Sequence, residues 1–148
     1  MIRKLHPAAG GTAMSLVILF WCATVVAEIR GDAAEILLVK TGILYGLVLL
    51  IPCIVFAGLS GRKLAGRSPD PRIAAKRRRM PVIALNGGLV LVPCAIFLWL
   101  RAADGDFTGA FWWVQGLELV AGAVNAVLLV QSLLDGKAIA RQRHRARA

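Results

Sequence analysis

The sequence predicts an all-α fold: a transmembrane four-helix bundle of two antiparallel hairpins, with both termini in the cytoplasm. Three observations predict it. Four apolar blocks each run for about 20 residues or more, the length a helix needs to cross a bilayer core of roughly 30 Å. Nearly all the charge falls between the blocks. The basic residues crowd into alternate connections, as the positive-inside rule requires. Composition agrees, with 58% of 148 residues hydrophobic and a mean hydropathy of +0.70, against about 45–50% apolar residues in an ordinary soluble domain. Backbone groups in lipid find no water to bond, so the blocks must be helical. None shows the polar face that a water-exposed helix carries.

The chain reads as one transmembrane domain, 1–148. The first helix is predicted over 8–29. A basic start before a long apolar run also suits a secretory leader. However, the run exceeds the roughly 7–15 residues of a leader's apolar core, and no A-x-A site follows, so it is read as a retained helix. Arg30-Gly31-Asp32 makes a short turn. The second helix is predicted over 33–59 and is followed by a basic loop over 60–80. Within that loop Ser68-Pro69-Asp70-Pro71 reads as a turn. The third helix is predicted over 81–100, opening on Pro81, where a missing N–H costs nothing. A short loop with Asp104 and Asp106 leads to the fourth helix, 111–134, and a basic tail, 135–148. Phe111-Trp112-Trp113 and Trp99 read as an aromatic belt at the outer interface. Pro52 and Pro93 should bend their helices. An offset of 41 residues aligns Gly46, Pro52, Cys53, Phe56 and Leu59 with Gly87, Pro93, Cys94, Phe97 and Leu100. That match fits either an inverted repeat or chance among apolar residues.

The net charge is +10. Fifteen Lys and Arg residues lie in the N-terminal segment, the long loop and the tail, against Arg30 and Arg101 at the other connections. This bias places both termini and the long loop in the cytoplasm of a bacterial inner membrane. The polyanion it faces is then the anionic inner leaflet rather than nucleic acid. The run Lys76-Arg77-Arg78-Arg79 is the natural contact for anionic lipid.

Ionisable groups within a membrane are costly and usually face the protein interior. Glu118 lies well inside the fourth helix. Gln115, Glu118, Gly122, Asn125 and Ser132 recur at helical spacing on one face. This stripe suits a proton-carrying or ligand-binding groove. It equally suits interhelical hydrogen bonding, with Gly122 permitting close approach. Lys40 is the natural partner for an acid at this depth: Glu118 or Glu28 suits it better than Glu35, five residues away on the same helix, and snorkelling to the outer headgroups is the alternative. Glu28, Lys40, Gln115, Glu118 and Asn125 are therefore expected to form an intramembrane polar network, which Tyr45 and Asn86 are also placed to join. Cys22, Cys53 and Cys94 lack metal-type spacing and are expected as free thiols. No catalytic or nucleotide-binding motif occurs, and no metal site is expected. Histidine is scarce: His6 stands at the edge of the first helix and His144 in the tail. Only His6 offers itself as a haem ligand, so haem b is a minor expectation.

The stretches Lys4-Leu5-His6-Pro7-Ala8, Ala75-Lys76-Arg77-Arg78-Arg79-Met80-Pro81 and Leu117-Glu118-Leu119-Val120-Ala121-Gly122-Ala123-Val124-Asn125 resemble those of small bacterial four-helix integral membrane proteins to which no function is assigned. The resemblance spans most of the chain and implies the fold without an activity. The expected function is a non-enzymatic accessory or scaffold that binds lipid, a membrane-protein partner or a second copy. Alternatives are a small proton-coupled transporter using Glu118 and a haem- or quinone-binding redox protein using His6.

Overall fold

The computed structural model describes residues 2–66 and 70–145. Five α-helices follow in order: α1 (Ile2–Arg30), α2 (Ala33–Ala65), α3 (Pro71–Asn86), α4 (Val92–Ala103) and α5 (Gly109–Arg145). A single π-helical turn, Gly87–Leu91, joins α3 to α4, so the two form one span, Pro71–Ala103. The bundle thus has four spans, each long and apolar enough to cross a membrane. No strand occurs among the described residues.

The helices reach further than the apolar blocks. The first starts at Ile2 rather than residue 8, and α2 runs to Ala65 rather than 59. The third span opens at Pro71 rather than Pro81, and α5 continues to Arg145 rather than 134. The expected basic loop over 60–80 is therefore mostly helix, and the run from Lys76 to Arg79 lies on α3. The reason is local. Hydropathy marks where a helix can leave lipid, not where it ends, and Ala, Arg, Lys and Leu are strong helix formers. Asp70 caps the early start by accepting the Arg72 N–H at 2.9 Å, with Pro71 at the first helical position. The Ser68-Pro69 part of the expected turn lies outside the described residues.

The spans alternate in direction. At one end, called here the basic end, His6 of α1 meets Ser60 of α2, and Arg79 of α3 pairs with Asp135 of α5 at 2.5 Å. At the other, the hairpin end, two tight turns connect the spans. Gly31 and Gly105 each take φ of 69° there, a conformation that side chains with a Cβ disfavour. Asp32 caps α2 by accepting the Glu35 N–H at 2.9 Å. Both arginines at this end find acids: Arg30 pairs with Glu35, and Arg101 with Asp106. Hydrogen bonding from Thr108, with smaller help from Arg101, holds the Asp106 carboxyl below the ordinary aspartate range.

The core divides by level. Toward the basic end Ala13, Val17, Leu50, Ile83 and Leu129 pack together. Toward the hairpin end Ala27, Ile36, Leu98, Ala102 and Phe111 do so. Phe111 is fully buried, against Phe107 and Trp112, and so leaves the expected belt to its neighbours. Trp113 is 84% exposed on the outer surface. Tyr45, 76% exposed, faces outward as well and joins no polar network.

Proline explains the π turn. In a regular helix the Pro93 ring would clash with the carbonyl four residues before it, at Leu89. The chain instead widens over Gly87–Leu91, and the Val92 N–H reaches back to the Gly87 carbonyl. Pro52 lies within the unbroken α2.

Close approach of α1 to α2 depends on Gly46. A Cβ there would sit 2.1 Å from the tip of the Phe20 ring. Gly46→Ala should therefore destabilise the bundle by about 1–3 kcal/mol through overpacking. Adding Phe20→Leu should recover part of that loss in denaturation measured in detergent.

Candidate functional site

The polar stripe of α5 points into the bundle. Gln115, Glu118, Asn125 and Ser132 are 2, 9, 1 and 4% exposed, respectively. Their helical spacing puts them on one face, and that face meets α1, α2 and the third span. The structure divides them into two groups.

The first group is ionic and lies toward the hairpin end. Lys40 Nζ donates to Glu118 Oε2 at 2.6 Å, and the Lys40 side chain is 1% exposed. Gln115 Nε2 makes a longer contact, 3.4 Å, to the same oxygen. Of the partners the sequence offered to Lys40, the geometry selects Glu118, because Glu35 is held at the hairpin end by Arg30. Glu28 stands within the electrostatic reach of both Lys40 and Glu118 without bonding either. Cys94, buried on α4, is also within reach of the pair.

The second group is neutral and lies deeper. Asn86 of α3 donates through Nδ2 to Asn125 Oδ1 and to the Ala121 carbonyl, both at 2.9 Å. Asn125 Nδ2 lies 3.4 Å from the Ile83 carbonyl. Asn125 thus belongs with Asn86 beside the π turn and not with Glu118. The Ser132 hydroxyl is buried without a hydrogen-bond partner.

Tryptophan adds two links that sequence reasoning missed. Trp21 Nε1 donates to the Leu119 carbonyl at 2.9 Å, and its ring lies over Gly122, where a Cβ would come within 3.1 Å. Gly122 therefore admits an indole rather than a neighbouring backbone. Trp99 Nε1 donates to Thr41 Oγ1 at 3.1 Å, tying α4 to α2. Neither pairing had a signal in the sequence, since each joins residues remote in the chain.

Beside the ion pair lies a cavity of about 70 Å³, walled mainly by apolar side chains such as Phe20, Ile43 and Leu91. Thr24 and Glu118 are its polar margin. Among the described residues, Glu118 Oε1 accepts no hydrogen bond. The space has room for several waters or the end of an acyl chain.

The remaining candidate residues lie at the basic end. Ser60 donates to the Phe56 carbonyl at 2.5 Å, so His6 Nδ1, 2.8 Å from Ser60 Oγ, is the donor in that contact. The His6 ring packs over Gly61. His144 lies outside the described side chains. Arg77 and Arg78 are exposed, whereas Lys76 and Arg79 are half-buried near Asp135. Arg77 donates to the Gly66 carbonyl. Cys22, Cys53 and Cys94 are free thiols. No group of three His, Cys, Asp or Glu side chains suited to a metal ion occurs among the described residues.

An ion pair so enclosed is costly to break and cheap to replace. Lys40→Met and Glu118→Leu should each destabilise the fold by about 3–5 kcal/mol, and the double variant should regain most of the loss. Asn125→Leu should cost less, about 0.6–2 kcal/mol, the usual range for an interhelical hydrogen bond in lipid. Denaturation of the variants in detergent measures both.

No family model, curated protein or solved structure matches this chain, so its function must be argued from its own residues.

Proposed function

We propose that this chain is a non-enzymatic, multi-pass protein of a bacterial inner membrane, with both termini in the cytoplasm. It gathers anionic lipid at its basic end and serves there as an accessory or scaffold for a membrane partner or a second copy. The supporting observation is the segregation of unpaired positive charge. Arg62, Lys63, Arg77, Arg78, Lys137 and Arg141 are all exposed on α2, α3 and α5 at one end of the bundle. The only acids in that part of the chain are Asp70, which caps α3, and Asp135, which pairs with Arg79. At the hairpin end, by contrast, each arginine has its acid. Basic residues just cytoplasmic of a span attract anionic headgroups by about 1 kcal/mol each. Because α2, α3 and α5 continue as helices past the apolar blocks, they support that charge on rigid elements.

Native mass spectrometry from mild detergent should find anionic phospholipid retained on the protein. Replacing Arg62, Lys63, Arg77 and Arg78 by Gln should weaken binding to vesicles containing phosphatidylglycerol by about fivefold per charge removed, with a matching loss of salt sensitivity. Unchanged binding would reject the lipid role. In intact cells, Asp104→Cys should react with an impermeant thiol reagent from outside, and Lys63→Cys only after permeabilisation. The reverse pattern would reject the orientation.

A further inference from the structure

Tyr45 is the sole tyrosine of the chain, and it stands where an aromatic with a polar tip is least at home. Such residues collect at the headgroup level. Tyr45 instead lies about 18 Å into α2, which starts at Ala33, near the middle of that helix's apolar stretch. Its side chain is 76% exposed, and its hydroxyl makes no hydrogen bond among the described residues. Lipid chains offer a phenol no acceptor, and an unbonded hydroxyl in an apolar medium is costly. A serine or threonine there could bond its own helix. The tyrosine hydroxyl stands too far from its backbone to do so.

Tyr45 belongs to a seam. Leu38, Gly42, Tyr45, Leu49, Pro52 and Phe56 recur at steps of four and three residues, the period of helices that pack side by side at a shallow angle. All six are exposed. Of the four spans α2 is the least covered, with 17% of its apolar window buried inside the bundle. The seam runs for about 27 Å, most of the thickness of a bilayer core. At Gly42 a Cβ would meet nothing within 4 Å, so the seam carries a notch. Helical side chains lean toward the N-terminus, which brings the Tyr45 ring level with Gly42, one turn earlier. Copies inserted in the same orientation therefore meet at equal depth about a twofold axis along the membrane normal. We propose that the outward seam of α2 is the contact surface for a second copy of this chain, in a parallel dimer that seats Tyr45 of each copy at Gly42 of the other. The seam holds both knob and notch, so it is complementary to itself. The two phenols also face one another across the axis, and each can donate and accept. This names the second copy among the partners of the proposed function, and it rests on that reading only for insertion of all copies in one direction.

Disulfide cross-linking in native membranes tests the contact, in the full chain with Cys22, Cys53 and Cys94 replaced by Ala. Leu49→Cys should give a cross-linked dimer on mild oxidation, whereas Val120→Cys, 65% exposed on α5, should not. Photobleaching of wild-type protein, labelled once at its N-terminus and diluted in vesicles of neutral lipid, supplies a second readout. Two bleaching steps should predominate. Tyr45→Phe should weaken the dimer about tenfold, the effect of losing two interhelical hydrogen bonds. Gly42→Leu should abolish the dimer while thermal stability in detergent holds, because that position touches nothing within its own chain. Wild-type monomers at every dilution overturn the proposal, also where a different membrane protein co-purifies. So does cross-linking through Val120→Cys that equals that through Leu49→Cys, or a dimer indifferent to both Tyr45→Phe and Gly42→Leu. A monomer that still retains anionic lipid sinks the dimer alone and leaves the lipid role standing.

Discussion

The contact between Lys40 and Glu118 organises the bundle more than any other. It joins α2 to α5, which are distant in sequence, with the Lys40 side chain fully buried. Each charge alone would be expensive in that environment, so each makes the other's position obligatory. Ion pairs of this kind add little net stability over well-packed apolar residues, but they penalise wrong registers heavily. A shift of α5 by one residue would turn Glu118 away from Lys40 and strand both. The pair therefore acts as a register pin for helices whose apolar surfaces could slide.

Apolar packing alone would be a poor guide in lipid, since side chains gain little by leaving one hydrocarbon for another. The molecule compensates with directional contacts at successive depths. Trp99 to Thr41 and the ion pair serve the hairpin half, Trp21 to Leu119 the next level, and Asn86 to Asn125 the level beside the π turn. His6 to Ser60 and Arg79 to Asp135 close the basic end. Small residues matter where these contacts need room, at Gly46 for Phe20 and Gly122 for Trp21. The π turn belongs to the same scheme. Pro93 disfavours a regular helix there, and the resulting widening lies beside Asn125.

The two ends differ in a way that follows from charge balance. Acids and bases at the hairpin end satisfy one another within tight turns. Among the described residues the basic end keeps a surplus of exposed cations.

The number of spans, their alternation and the inward direction of the α5 stripe were legible in the amino-acid order. They depend on local quantities: hydropathy over about 20 residues and a helical period. Glu118 and Lys40 stood out for the same reason, as charges in apolar blocks. The helix ends were not legible, because basic residues that leave the lipid are still good helix formers. The choice of Glu118 over Glu28 as the partner of Lys40, and of Asn86 for Asn125, was decided only by packing. Such pairings depend on relative rotation and depth of whole helices, which no spacing within one helix encodes. Phe111 shows the same limit, since an aromatic at an apparent interface turns inward once a neighbouring hairpin leaves a space for its ring.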